Sequence, residues 1–305
     1  MISRYVTGAF YMERSFNKDR FLENLGCLAI FWQQEKVLTD SIRRTELEIR
    51  DIRSKISAIK QDMIKSVFMI KSVKKKRTKE IENLENDIRD KQDAINEVKE
   101  QIRALNLKCF GSDDIPHIYF GKYPQKPNGA PAPLEWDVLM YKDNRVLIVT
   151  THVIEQMQFA KEIVDTPWKN SIIRKWLNNE FYDICFTKEE KALILEKENA
   201  NPENHSYKTA ASENTRDKVF IPSIKEVKRF SDYDSDRIAY PTEYAVDKGV
   251  YVNGDTNGSY WWLRSNGGNM YNAAVVNFSG YIFEYGFYVN SSQYGVRPAV
   301  WISLI

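Results

Sequence analysis

The sequence predicts an α+β protein, with a long α-helical coiled coil in its N-terminal half followed by a mixed domain of strands and short helices. Three observations carry that expectation. Isoleucine and leucine recur at heptad spacing from Val37 to Leu107. No glycine occurs between Gly26 and Gly111 and every proline lies at or after Pro116, so helix breakers are absent from the first part and frequent in the second. The stretch Tyr260–Trp301 holds three of the seven tryptophans among many Tyr, Phe, Asn and Gly, with Arg264, Glu284 and Arg297 as its only ionisable groups besides the tyrosines. The chain accordingly reads as an aromatic-rich segment over 1–34, a coiled coil over 35–110 and a mixed domain over 115–305.

The first segment carries Tyr5, Phe10, Tyr11, Phe16, Phe21 and Trp32, too many aromatics for a disordered tail. It reads as a short helix or an addition that packs on the coil or on a partner. In the coil, one register places Ile42, Ile49, Ile56, Met63 and Ile70 at a positions, with Thr45, Ile52, Ile59 and Val73 at d. A second places Ile81, Ile88, Ile95 and Ile102 at a, with Leu84, Val98 and Leu105 at d. The registers differ by a four-residue shift near Arg77. One continuous helix with a stutter, about 105 Å long at 1.5 Å per residue, would produce this. So would a turn over Lys71–Lys79 that folds the two arms into a hairpin. Lys36–Lys79 holds 14 Lys/Arg against 5 Asp/Glu, whereas Glu80–Lys108 holds 5 against 8. Opposite charge on the two arms favours the hairpin; the absence of Gly, Pro or Asn from Lys71–Lys79 favours the continuous helix. The lysine run there reads first as a solvated face and, more sharply, as a contact for an anionic surface.

From Ile118 the pattern becomes mixed. Ile118–Gly121, Leu134–Met140 and Arg145–Thr150 read as strands, the last two joined by a turn at Lys142-Asp143-Asn144. Asn170 or Ser171 can cap a helix that holds Ile172, Ile173, Trp176 and Leu177. Thr187 and Glu190 form a capping box ahead of a helix through Ala192–Leu195. Lys197–Thr215 reads as a loop, and Ser223–Phe230 as another short helix.

In the C-terminal block, Trp261-Trp262-Leu263 form an apolar knot, and Ala273–Val276 and Tyr281–Val289 read as strands joined by a turn at Ser279-Gly280. Gly295–Ile302 alternates like a half-buried strand, and Pro298, which cannot donate to a ladder, places it at a sheet edge or a bulge. Between these blocks, Asn, Tyr, Phe and Ser dominate from Asn266 to Tyr294. Tyrosine and phenylalanine give large contact area at low entropy cost, and Asn and Ser give adaptable hydrogen bonds. Alternation puts Tyr281, Phe283, Tyr285 and Phe287 on one face and Ile282, Glu284, Gly286 and Tyr288 on the other, so one core cannot bury them all. The residues expected to meet a ligand are Asn269, Tyr271, Asn272, Phe278, Tyr281, Phe283, Tyr285, Tyr288, Ser292 and Tyr294.

The order of blocks resembles an uncharacterised bacterial domain family. Those blocks are IYFGKYPQ from Ile118, LEWDVLMYKDNRVLIVTTHVI from Leu134, WKNSIIRKWLNNEFYDICFTKEEKALI from Trp168, VFIPSIKEV from Val219, PTEYA from Pro241, YWWLRS from Tyr260, AAVVNFSGYIFEYGFYVN from Ala273 and YGVRPAVWI from Tyr294. The resemblance implies a C-type-lectin-like fold related to that of formylglycine-generating enzymes. Those enzymes use cysteine near their C-terminal end; this chain has none after Cys185, so their copper-dependent oxidation does not carry over. In some relatives the C-terminal block is the variable region of a diversity-generating retroelement, where mutagenised Asn codons randomise the ligand-facing positions. The Asn, Tyr, Phe and Ser excess looks like such a region, although Met270, Glu284 and Gln293 do not follow simply from an Asn codon.

Composition narrows the function classes further. A net charge of +2 argues against bulk electrostatic binding of nucleic acid. Cys27, Cys109 and Cys185 are too far apart for a CxxC metal pair or a disulfide framework. His117, His152 and His205 show no metal-ligand spacing and read as surface or structural residues, and no nucleotide-binding or hydrolase motif occurs. Asn253–Ser259 resembles part of a calcium loop but lacks the bidentate Glu, and reads as a turn. Leu25–Trp32 is apolar but short and far from Met1, so no secretory signal or membrane span is expected, and the cytoplasm or a phage particle is the expected location. The functional expectation is a non-enzymatic binding protein without cofactor or metal. Its C-terminal surface would meet a protein or cell-surface ligand, and its coil would form a homo-oligomer or engage a helical partner. The alternative is a structural or assembly component, of a phage particle or a defence complex, whose working part is the coil. An enzyme would have to be built on Arg264, Glu284 and Arg297, which read more simply as two buried anchors and a surface charge.

Overall fold

The computed structural model describes residues 17–65, 71–110, 118–230 and 233–305. Two long helices, α1 (Lys18–Lys65) and α2 (Lys71–Phe110), precede a mostly β domain, giving an α+β protein overall. The chain divides into two compact units: one joins the start of α1, through Ala29, to the domain from β1 onward, and the other begins at Ile30 and holds the rest of both helices. The aromatics at 5, 10, 11 and 16 lie outside the described residues. Phe21 stacks on Phe120 at 5.0 Å, and Leu25 and Leu28 are buried, so the first turns of α1 are part of the β domain's packing.

In the helical unit most of the described heptad positions are covered, Val73 being an exposed exception. Ile49, Ile52, Ile56 and Ile95 are buried, and Ile42, Met63, Ile81, Leu84, Ile88, Val98 and Ile102 are half-buried. Three pairs give the direction of packing. Glu48 meets Lys91 at 2.6 Å, Lys60 meets Glu85 at 3.3 Å, and Asp62 meets Arg77. Rising numbers in α1 meet falling numbers in α2, so the helices run antiparallel. The change of direction is not at Lys71–Lys79, which is helical because nothing in KSVKKKRTK breaks a helix; residues 66–70, between the helices, lie outside the described residues. Lys91 fills the d position between Leu84 and Val98, and its bond to Glu48, aided by the charges of Glu48 and Asp87, raises its pKa.

The β domain contains β1 (Ile118–Tyr123), β2 (Ala132–Lys142), β3 (Arg145–Thr150), β4 (Glu155–Gln156), β5 (Ile194–Leu195), β6 (Lys197–Asn199) and β7 (Thr215–Asp217). It continues through β8 (Val219–Phe220), β9 (Trp261–Asn266), β10 (Asn272–Val276), β11 (Ile282–Tyr288), β12 (Gly295–Val296) and β13 (Ala299–Ser303). One sheet runs β1-β2-β3-β13-β5, with β8 also on β13, and the other runs β11-β10-β9-β12-β4. A small β6-β7 pair interrupts the stretch expected to be loop.

Local signals act where they were read. Asp143 and Asn144 both take positive φ in the β2–β3 turn, which short polar side chains tolerate. Ser171 caps α3 (Ile172–Trp176) by accepting from Arg174 N–H, and α3 continues through a π-turn into α4 (Tyr182–Cys185). The Thr187–Glu190 box caps α5 (Lys188–Lys191), but Ile194 and Leu195 leave the helix to pair with β13. The expected helix through Leu195 is thus overridden by a sheet partner distant in sequence. Short helices α6 (Ile224–Phe230) and α7 (Glu243–Asp247) complete the domain.

Pro298 does not mark an edge. β12 lies between β9 and β4 in one sheet, and β13 lies between β3 and β5 in the other. The proline stands where the chain passes from sheet to sheet, so no ladder needs its missing N–H, and its carbonyl accepts from Thr150 N–H at 2.9 Å. Ala299, Val300, Trp301 and Ile302 are buried on both faces rather than one.

Buried charges fasten the loops around these sheets. Asp217 accepts from Trp168 Nε1, Asn199 Nδ2 and Thr215 Oγ1 on one oxygen, and from Arg174 Nε at 2.6 Å on the other. Arg264 forks onto Glu226 and also donates to Ile221 O, and Arg297 donates to Thr150 O and Asp137. Burial alone would raise the Glu226 pKa, but Arg264 and Ser223 outweigh it and hold the carboxylate ionised. Burial lowers the Arg297 pKa to about 10, still high enough to stay charged at neutral pH. Arg264 and Arg297 are therefore structural anchors.

Candidate functional site

The site grows from strand alternation in the β11-β10-β9-β12-β4 sheet. Trp261 and Leu263 of β9, Ala274 and Val276 of β10 and Ile282 of β11 point to one side, into an apolar cluster with Val153, Val227, Ala239, Ala245 and Val250. The alternate residues carry rings on the other side. Trp262 meets Tyr294 at 5.0 Å and Phe159 at 5.7 Å, and Phe287 meets Tyr294 at 4.9 Å, Phe283 at 5.1 Å and Tyr260 at 5.7 Å. In the ladder, Val275 of the middle strand lies between Trp262 and Phe283, and Ala273 lies between Asn266 and Phe287.

From that patch the rings continue both ways. Tyr260 contacts Phe278 and Tyr251, and Phe283 contacts Tyr285, which meets Tyr207 edge-on at 5.2 Å. The result is one continuous ribbon from Tyr251 to Tyr207. Trp262 and Phe159 are fully buried beneath it, Tyr260, Phe278, Phe283, Phe287 and Tyr294 are half-buried, and its ends, Tyr251, Tyr285 and Tyr207, are exposed. Two glycines shape it. Gly286, at φ +69°, forms the β10–β11 bulge, where a Cβ would lie 1.9 Å from Ala273 O. Gly268 lies beneath the Tyr285 ring, where a Cβ would come within 2.2 Å of it. Burial raises the Tyr260 pKa and, with Tyr260 beside it, pushes Tyr294 up to about 12, so the centre of the ribbon stays uncharged.

The ten residues singled out by sequence fall into four groups. Phe278, Phe283, Tyr285 and Tyr294 belong to the ribbon. Tyr271, Tyr281 and Tyr288 are 41%, 53% and 55% exposed, and Ser292 is also exposed. Asn269 lines a neighbouring open groove of about 650 Å³ with Lys169, Asn170, Tyr207, Ser212 and Asn266. Asn272 is the correction: it is 6% exposed, its backbone C=O accepts from Gly267 N–H, and its amide donates to Tyr285 O, so it braces the turn instead of facing solvent.

Sequence reasoning passed over Tyr207, Tyr251 and Tyr260, which enter the ribbon from outside Asn266–Tyr294. Phe287 was visible in the alternation but was not singled out. Glu284, on the face opposite the rings, bonds Lys228 and Ser206; these outweigh its partial burial and lower its pKa. It holds the loop carrying Tyr207 beside β11. In the stretch that resembles a calcium loop, Asn253 Oδ1 accepts from Asp255 N–H and Thr256 N–H, which closes an Asx turn. Among the described residues no group of three or more His, Cys, Asp or Glu is placed to hold a metal ion. Burial lowers the His152 pKa, and His205 meets Glu203 in an exposed loop.

Residues 143–304, which contain the whole ribbon and the groove beside it, match the family described as Domain of unknown function (DUF6273). The chain belongs to that family. No curated protein and no solved structure matches the chain. The DUF6273 match begins at the β2–β3 turn and ends just after β13, so it takes in every strand of the ring-bearing sheet.

Proposed function

We propose that this chain is a non-enzymatic ligand-binding protein. Its C-terminal domain, taken as C-type-lectin-like, presents a variable-type aromatic and Asn-rich surface to a protein or cell-surface ligand. Its helices act as a coiled coil that oligomerises or tethers that domain, so that weak single contacts gain from avidity. The observation that carries the reading is the ring ribbon, with Tyr251, Tyr285 and Tyr207 exposed at its ends and Tyr271, Tyr281 and Tyr288 exposed elsewhere in the same block. Large rings held by their neighbours lose little entropy on contact, and a partly open row of rings with exposed ends suits an interaction surface.

Diversification by a retroelement sharpens the proposal into a test. The DNA flanking the gene should hold a near-copy of the codons for Tyr260–Trp301 that differs mainly at adenines, beside a reverse transcriptase. The mismatches should fall on exposed Tyr271, Tyr281, Tyr285 and Tyr288 and spare buried Asn272. Without a near-copy the surface has one fixed specificity. The binding reading itself is decided by protein: joint replacement of those four tyrosines by Ala should change stability by less than about 0.5 kcal/mol each. A cost of roughly 3 kcal/mol or more each would make them core and end the proposal.

A further inference from the structure

The helical unit carries a second surface that the ribbon does not involve. Between Asp62 and Glu80 the sequence holds seven Lys/Arg and no acidic residue. The Asp62–Arg77 pair brings the end of α1 to the start of α2 and uses the one acid of that region. Lys65, Lys71, Lys74, Lys75, Lys76 and Lys79 are all exposed, and none pairs with an acidic side chain among the described residues. The first turn of α2 contains no acid either, so the helix dipole adds to their mutual repulsion instead of relieving it. Farther along, the same two helices do balance their charges, as Glu48–Lys91 and Lys60–Glu85 show. The imbalance is therefore local to one end.

That end also exposes branched apolar side chains. Ile64 is 80% and Val73 is 40% exposed, beside the lysines. A phosphate backbone of nucleic acid offers such groups nothing, because its affinity comes from charge and hydrogen bonds. An acidic bilayer takes both: the headgroups draw the lysines and the interface accepts the apolar groups. We propose that this end of the helical pair docks on a membrane surface rich in acidic phospholipids. The contact is peripheral, since among the described residues no helix is long and apolar enough to cross a membrane.

The full chain should be sedimented with phosphatidylcholine vesicles made with and without phosphatidylglycerol. It should bind the acidic vesicles, lose binding as salt is raised, and leave the neutral ones in the supernatant. Each lysine near an acidic surface contributes roughly fivefold to affinity. Changing Lys71, Lys74, Lys75, Lys76 and Lys79 together to Gln should lower affinity by at least about tenfold with the helical circular dichroism unchanged. Changing the same five to Arg should retain binding, which keeps the test decisive if the Gln variant misfolds. Val73→Ser should weaken vesicle binding at fixed charge. Undiminished binding by the Gln variant, equal binding to neutral vesicles, or retention by duplex DNA without vesicle binding overturns the proposal, as does failure to bind acidic vesicles at low salt.

Discussion

The two faces of the β11-β10-β9-β12-β4 sheet are built from the same strands and differ in what they bury. One face carries Leu263, Ala274, Val276 and Ile282, nearly all fully buried among other aliphatic groups. The other carries Phe283, Phe287, Tyr260 and Tyr294, packed ring on ring yet half open to solvent. Aliphatic side chains stabilise by leaving water completely, at about 1.5–3 kcal/mol each. Tilted and edge-on rings hold one another in place while leaving part of their area accessible. The difference teaches that one sheet can bury a closed aliphatic layer on one face and hold an accessible row of rings on the other.

The largest break in that comparison comes from the aliphatic face. Leu263→Ala should cost about 2–5 kcal/mol in chemical denaturation, because its site is fully enclosed and cannot collapse easily. A loss below about 1 kcal/mol would mean that this face does not carry the fold. Next is Gly286→Ala, which forces a Cβ against Ala273 O at a left-handed position. The backbone must move there, so a loss of roughly 1–3 kcal/mol and a displaced ring row are expected. A crystal structure of the variant with Phe283 and Phe287 unmoved would show that the bulge does not set the ribbon.

The smallest effect lies at the sheet's edge. Glu155 of β4 is buried, and that burial raises its pKa, against the opposing pull of Tyr123 O–H and Gln156 N–H, which both donate to it. A carboxyl whose folded pKa lies above its unfolded value of about 4.3 favours the folded state most below that unfolded value. This contribution is lost as pH rises through the folded pKa. Glu155→Gln should remove that dependence and leave the variant the more stable of the two at pH about 8. The check is the denaturation midpoint across pH, with unchanged slopes counting against it.

What could be read from sequence was local. The Asp143-Asn144 turn, the Ser171 cap and the Thr187–Glu190 box act through atoms three or four residues apart, and each forms as expected. The β11 alternation was also legible, because its period is intrinsic to a strand. What failed depended on distant partners. Ile194 and Leu195 become a strand because β13 is there to pair with, and Pro298 marks a passage between sheets instead of an edge. Asn272 looks like its neighbours in composition, and only the fold reveals that Tyr285 O claims its amide. Tyr207 and Tyr251 join the ribbon from loops whose composition carries no sign of it.

The position of β12 and β13 has a consequence for biosynthesis. Each sits in the interior of a different sheet, and both fall within nine residues, Gly295–Ser303. At about 5–20 residues per second, β1 emerges roughly ten to forty seconds before these strands are made. Neither sheet can close in that interval, and the strands already made keep unfilled pairing edges. Nascent chains of this domain should therefore depend on chaperones that shield such edges, and then gain both sheets in one cooperative step.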